Sequence, residues 1–305
     1  MTSLNLDSSH LKDLTSIRDL VRLCVTKFVE HDIFLGHGND NPTDEAIHLV
    51  FAALNLNPTD IDLFLDAKVL ESEKQKIFEY LQKRVSERIP LPYITGFAWL
   101  QGVRFEVSPD VLIPRSFIAE LIASDLLEQQ IIEEEPLHIL DMCTGSGCLG
   151  ILAAMAFPEA FVDCVDISSS AVDIAKRNAK YHRIQNIEIF ESDLFAFAPK
   201  YKYDLVLCNP PYVNDDSIQR LPIEYRSEPA LALAGGLDGM DIVRRFLSEA
   251  RNYLSADGSI ILEIGNEYVN FIRAFPDLNH VCLETQTTVD NVVLINSRDL
   301  NDSSL

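Results

Sequence analysis

A chain of 305 residues, 47% of them hydrophobic, is long enough for two modest cores and has the composition of a globular protein. Asp and Glu outnumber Lys and Arg by 47 to 25, a net charge of -22, so stable nucleic-acid binding is not expected, because such affinity rests on neutralising phosphates with basic side chains. No apolar run approaches the roughly 20 residues that span a bilayer, and Met1 to His10 lacks the basic flank and apolar stretch of a secretory signal, so a cytoplasmic protein without membrane contact is expected, its charge suiting either a basic protein partner or solubility alone.

From Leu11 to Phe28 apolar residues recur at three- and four-residue spacing, one face of a helix. The turn Gly36-His37-Gly38 leads to Asn41-Pro42, a capping residue followed by proline at the first helical position. The next helix is predicted to turn Ala46, Ile47, Val50, Phe51 and Leu54 inward. Further helical spacing at Ile77, Tyr80, Leu81 and Val85 stops before Pro90 and Pro92. Residues 1–95 therefore read as a small all-helical domain. Residues 96–114 form a β-hairpin linker with Gln101-Gly102 as its turn, and residues 115–305 form a larger domain.

In that larger domain short apolar strands alternate with helices: Leu137 to Met142, Phe161 to Val165, Ile187 to Phe190, Tyr203 to Cys208 and Ser259 to Ile264. Such alternation predicts an α/β fold with a mainly parallel sheet. Val281 to Glu284 and Val289 to Ile295 are two strand candidates for an antiparallel edge, and the polar tail from Ser297 is expected to be loose. The six cysteines include no C-x-x-C pair and read as small buried hydrophobes. The seven histidines show no ligand spacing, so no metal is expected.

After the first strand of the sheet, Asp141 to Gly150 reads DMCTGSGCLG, a glycine-rich turn opening a helix. Gly145, Gly147 and Gly150 also spell the dinucleotide fingerprint. A carboxylate at Asp141 would repel a pyrophosphate but suit the sulfonium and ammonium of S-adenosylmethionine. Asp166, ending the next strand, is placed to accept both ribose hydroxyls, which either cofactor would require. Asp193-Leu194 offers a polar edge and an apolar surface for adenine, although Asp193 also suits a helix cap.

The fourth strand runs directly into Asn209-Pro210-Pro211-Tyr212. The prolines stiffen the backbone and remove N–H donors, leaving carbonyls free to accept. An NH2 group has two donors, which the Asn209 side-chain carbonyl and the Pro210 backbone carbonyl would satisfy together. Tyr212 would pack on the flat face of the substrate. Alone, such a tetrapeptide would read as a strand-ending turn; its place downstream of the glycine loop and Asp166 favours methyl transfer to a planar amide or amine nitrogen.

The order of cofactor loop, ribose acid and N-P-P-Y resembles the class I methyltransferases over roughly residues 110 to 297. That resemblance implies a Rossmann-like seven-stranded mixed sheet whose last strand is antiparallel. N-P-P-Y occurs in nucleic-acid amino-methyltransferases as well. Pro92-Tyr93-Ile94-Thr95-Gly96, Val111 to Arg115, Glu228 to Leu233 and Gly236-Leu237-Asp238-Gly239 are similar to segments of the HemK-type protein glutamine methyltransferases. Release-factor enzymes of that family continue their Pro-Arg motif as P-R-P-E-T-E, whereas this chain has Pro114-Arg115-Ser116-Phe117-Ile118-Ala119-Glu120-Leu121. Together with Phe34 to Asn41, this continuation resembles the branch that modifies a glutamine of large-subunit ribosomal protein L three. The resemblance implies cofactor contacts at Cys143, Thr144, Gly145, Ser146, Gly147, Asp166, Leu194 and Asn209, and a glutamine grip at Asn209 to Tyr212. Many relatives have glycine at the place of Cys143. The helical domain becomes a candidate reader of the protein substrate, or a cover over the active site.

Overall fold

The computed structural model describes residues 10–124, 127 and 137–302. They fall into two compact units: one runs to Ala98 and includes Pro222–Ser227, and the other comprises Trp99–Leu221 and the chain from Glu228 onward.

The first unit is helical. Its first long helix begins at Ile17, not at Leu11, because Ser16 and Asp19 form a capping box; residues His10–Asp13 make only a 3-10 turn. Asn41 caps the helix Pro42–Leu54 by accepting from the N–H groups of Thr43 and Asp44, with proline at the first position. The helices Glu71–Ser86 and Leu91–Thr95 follow. Leu20, Cys24, Phe28, Leu49, Phe51, Ile77 and Leu81 fill the core. Alongside it lies a buried charge network. Arg84, 1% exposed, donates to Glu45 Oε1 at 2.7 Å and to the Phe34 carbonyl at 2.7 Å. Glu224, fully buried and carried by Pro222–Ser227, accepts from the Phe34 N–H and pairs with Arg88, both at 3.1 Å.

In the second unit, β1 (Phe97–Leu100) and β2 (Val103–Glu106) form a hairpin, its first strand starting in the helical unit. Gln101 and Gly102 join them with φ of 49° and 75°, the paired left-handed residues of a tight turn whose twist matches the strands. The main sheet contains β3 (His138–Met142), β4 (Phe161–Asp166), β5 (Ile187–Glu191), β6 (Tyr203–Cys208), β7 (Leu254–Glu263), β8 (Val281–Cys282) and β9 (Val292–Asn296). Its order is β5-β4-β3-β6-β7-β9-β8, and β9 pairs antiparallel with both its neighbours while β3 to β7 pair in parallel.

Both faces of this sheet are buried. Leu140, Met142, Val206, Cys208, Ile260 and Leu262 enter one core cluster, and the alternating Ile139, Leu205, Leu207 and Ile261 enter the other. Two covered faces explain why these strands read as continuous apolar runs. The tail departs from expectation: Ser297 donates its N–H to the Gly258 carbonyl at 2.8 Å, and Leu300 is 2% exposed within the short helix Asp299–Asp302. One apolar residue in an otherwise polar stretch is enough to dock it.

Candidate active site

From β3 the chain winds outward through β4 and β5, then returns to lay β6 on the other side of β3. Connections diverge at that point, leaving a crevice beyond the carboxyl ends of β3 and β6, where open α/β sheets bind ligands. A cavity lies there. Its lining includes Cys143 and Gly145 after β3, Asp166 ending β4, Asp193 and Leu194 after β5, and Asn209 and Pro211 after β6.

Asp166 holds the glycine loop as well as facing the cavity. Its Oδ2 accepts from the Gly145 N–H at 2.8 Å and its Oδ1 from the Ser168 N–H at 2.9 Å. Burial raises its pKa, while these backbone donors pull it down. Each oxygen keeps further lone-pair capacity toward a diol. Asp193 starts a 3-10 turn without capping it through its side chain; it pairs instead with Arg245 at 2.8 Å. Leu194 is 5% exposed with φ of 49°, and Cys143, half-buried, has φ of 61°. Two bulky side chains in left-handed backbone on one cavity wall mark strain retained at a functional site.

Asp141, expected beside the cofactor, has its carboxylate engaged within the loop. It is 1% exposed and lies off the cavity lining, its Oδ2 accepting from the Thr144 hydroxyl and, at 2.8 Å, from the Gly150 N–H. It staples the loop to the following helix, Cys148–Ala156. A strand-ending carboxylate can turn either way, and here Gly150 leaves room for it: a Cβ there would meet Asp141 Oδ2 at 3.2 Å and Cys164 Sγ at 2.2 Å. Thr144 and Ser146, both buried, and Gly147 are also off the cavity lining and belong to the loop framework.

Burial pushes the Asp141 pKa from 3.8 to about 7. A raised folded pKa means the native state holds the proton more tightly, so this contribution to stability is present below pH 4 and is lost as pH rises toward 7. Wild type is expected to gain in melting temperature relative to Asp141→Asn as pH is lowered from 7 to 5. A difference independent of pH, measured by thermal denaturation across that range, would refute the assignment.

Beyond β6, Pro210 is buried and Tyr212 is partly buried, both outside the cavity lining. The Tyr212 hydroxyl donates to Glu263 Oε1 at 3.1 Å. The segment Leu233 to Gly239 cradles its backbone: Val213 donates to the Leu233 carbonyl and Gly235 to the Val213 carbonyl, each at 2.9 Å. A Cβ at Gly239 would lie 2.2 Å from the Tyr212 carbonyl oxygen, and one at Gly265 would lie 2.4 Å from its ring. These close approaches require glycine.

With this geometry in view, residues 121–223 match the methyltransferase small domain and residues 32–96 match the PrmC N-terminal domain. A ribosomal protein uL3 glutamine methyltransferase from Bordetella pertussis is 48% identical over 300 residues, covering 97% of this chain and 100% of the relative. The chain belongs to the family of ribosomal protein uL3 glutamine methyltransferases. A second such relative, from Burkholderia pseudomallei, is 44% identical over 93% of this chain and 95% of its own length. Among solved structures, a 16S rRNA N2 G1207 methyltransferase from T. Thermophilus has a TM-score of 0.45 at 17% identity, covering 66% of this chain and 49% of that one.

S-adenosylmethionine is the methyl donor of this family member, and the cavity suits it. The Thr144, Gly145 and Gly147 N–H groups already donate to Val165, Asp166 and Thr144 respectively, so three donors on which a dinucleotide pyrophosphate would draw are spent within the protein. Among the described residues its one lining cation, Arg245, is paired with Asp193. What remains is a carboxylate for a diol and an apolar wall from Met142, Val165, Ile167 and Leu194.

Sequence reasoning left out Arg245, Met142 and Glu263. Glu263 had a signal, an acid closing the apolar run Ile260-Ile261-Leu262 just as Asp141 closes its own strand. Cys143, Cys148 and Cys282 are only partly buried, unlike the buried hydrophobes expected of every cysteine, and Cys143 borders the cavity. Cys143→Gly is expected to raise stability by about 0.5–1 kcal/mol by relieving left-handed strain. Urea denaturation checks this, and a loss of stability would show the side chain outweighs the backbone.

Proposed function

We propose that this chain transfers a methyl group to the side-chain amide nitrogen of a glutamine in ribosomal protein uL3, within the cytoplasm. The observation that carries the chemistry is that Asn209 and Pro211 border the same cavity as Asp166 and Gly145, so an amide held at β6 faces the cofactor wall. The names of the relatives support the substrate, and the charge of -22 suits a basic protein.

Bound S-adenosylmethionine supplies an electrophilic methyl on a sulfonium. Asp166 would accept from the ribose hydroxyls, while Leu194 and its apolar neighbours would receive the adenine, with Asp193 at its polar edge. The Asn209 side-chain carbonyl and the Pro210 backbone carbonyl accept the two N–H groups of the glutamine amide, and Tyr212 flanks its plane. Holding both hydrogens orients the nitrogen for in-line attack and opposes its conjugation with the carbonyl, so proximity and orientation carry the rate. As the nitrogen–methyl bond forms, the sulfur–methyl bond would break and its electron pair return to sulfur, leaving S-adenosylhomocysteine; the proton on the now positive nitrogen would then pass to solvent, which spares the site a strong base. The helical unit reads the protein substrate.

Tritiated methyl transfer to purified uL3, release factors and ribosomal RNA tests this reading, with the modified residue located by mass spectrometry. Label on a uL3 glutamine is expected. Label on release factor alone would move the substrate to the sister branch, and label on RNA alone would overturn the protein-substrate reading.

A further inference from the structure

Glu263 ends β7 with 2% exposure, and no cation lies within salt-bridge distance of it among the described residues. An unpaired buried carboxylate is costly unless donors surround it. Three do so. The Ser116 hydroxyl donates to Oε2 at 2.5 Å, the Phe117 N–H donates to the same oxygen at 2.9 Å, and the Tyr212 hydroxyl donates to Oε1 at 3.1 Å. Burial pushes its pKa to about 7 against the pull of these donors.

The arrangement has a direction. Ser116 Oγ accepts from the Ile118 N–H at 3.1 Å, so its lone pair is engaged and its single hydrogen is left for Glu263. Phe117 donates from backbone at the start of the helix Phe117–Ile122. Both donors to Oε2 are therefore fixed, which fixes the carboxylate, which in turn fixes the hydroxyl of Tyr212. The main chain of Tyr212 lies close against Gly235 and Gly239, the next residue Val213 exchanges hydrogen bonds with Leu233 and Gly235, and the Tyr212 ring rests on Gly265. The hydrogen bond to Glu263 adds a fixed point at the hydroxyl end of the side chain.

We propose that Glu263, set by Ser116, is a positioning residue for methyl transfer: it locks the Tyr212 ring in the orientation that flanks the substrate amide. The proposal rests on reading Asn209 to Tyr212 as the substrate grip. Glu263 is 2% exposed and both its oxygens are engaged within the protein, Oε2 by Ser116 and Phe117 and Oε1 by Tyr212, so it acts through the tyrosine and not on the substrate. The motif Pro114-Arg115-Ser116 thereby gains a physical task, since its serine sets the geometry of a residue far downstream in sequence, Tyr212.

The test uses the full chain, uL3 as acceptor, and Tyr212→Phe, Ser116→Ala, Glu263→Gln and their combinations. Tyr212→Phe is expected to lower kcat roughly 10- to 100-fold while leaving S-adenosylmethionine affinity unchanged by calorimetry. Ser116→Ala and Glu263→Gln are expected to lower kcat in the wild-type background and to have no further effect once Tyr212 is Phe, because both act through the lost hydroxyl. Equal losses in both backgrounds would overturn the proposal in favour of a general structural role. Tyr212→Ala separates the two readings: full activity in that variant would sink the grip itself, whereas its loss combined with full activity in Tyr212→Phe would sink only the positioning by Glu263. Tyr212→Phe and Ser116→Ala each delete one hydroxyl, so the cycle remains decisive if Glu263→Gln does not fold.

Discussion

Asn209→Ala is expected to lower kcat for methyl transfer roughly 10²- to 10³-fold, with folding retained and cofactor affinity reduced far less. The substitution removes the side-chain carbonyl proposed to take one of two amide hydrogens, so the substrate nitrogen would be tethered at a single point and free to pivot. The cavity residues Asp166, Gly145 and Leu194, proposed to contact the cofactor, end or follow other strands and stay in place. The measurement is single-turnover methyl transfer alongside calorimetric titration of S-adenosylmethionine. Transfer at the wild-type rate would show that Asn209 only ends β6, and lost cofactor affinity of the same size would make it part of the cofactor wall.

Arg84→Met is expected to destabilise the helical unit by about 3–5 kcal/mol, the usual cost of removing one partner from a buried ion pair. Its guanidinium is the hub between Glu45, 3% exposed, and Glu224, fully buried, and it also donates to the Phe34 carbonyl. Methionine matches the length of the stem but leaves a carboxylate and a carbonyl without their donor. Arg84→Lys is expected to recover only part of the loss, because one ammonium lacks the planar fork that reaches two acceptors. Chemical denaturation followed by circular dichroism measures both, and a change below about 1 kcal/mol for methionine would mean that Glu45 is held well enough by Asn39, at 2.6 Å.

The sheet was legible because its strands are buried on both faces, so Leu205-Val206-Leu207 and Ile260-Ile261-Leu262 stand out without any alternation to decode. Asn209 was legible because two prolines after a strand are rare punctuation. Asp141 shows where such reasoning stops: strand position tells that a carboxylate reaches the sheet edge, but its orientation depends on Gly150 and Thr144 packing beneath it. The positive φ of Leu194 carries no mark in sequence, since leucine has no preference for it. Glu224 was silent for a different reason. Its partners Arg84, Arg88 and the Phe34 N–H lie more than a hundred residues upstream, beyond any local period. The start of the first helix was misplaced because Leu11 and Leu14 extend the apolar spacing, whereas the Ser16–Asp19 box decides where helical hydrogen bonding begins.

The hexapeptide Pro222–Ser227 means that the polypeptide passes between its two units three times, at Ala98, Leu221 and Ser227. Modularity is therefore only apparent. A fragment ending at residue 98 would keep Arg84 and Glu45 but lose Glu224, exposing a cationic seam that the intact chain closes. Conversely, a chimera that borrows the helical unit from a relative must import the matching hexapeptide from deep within the other half, because recombination at the obvious linker parts Glu224 from Arg84 and Arg88.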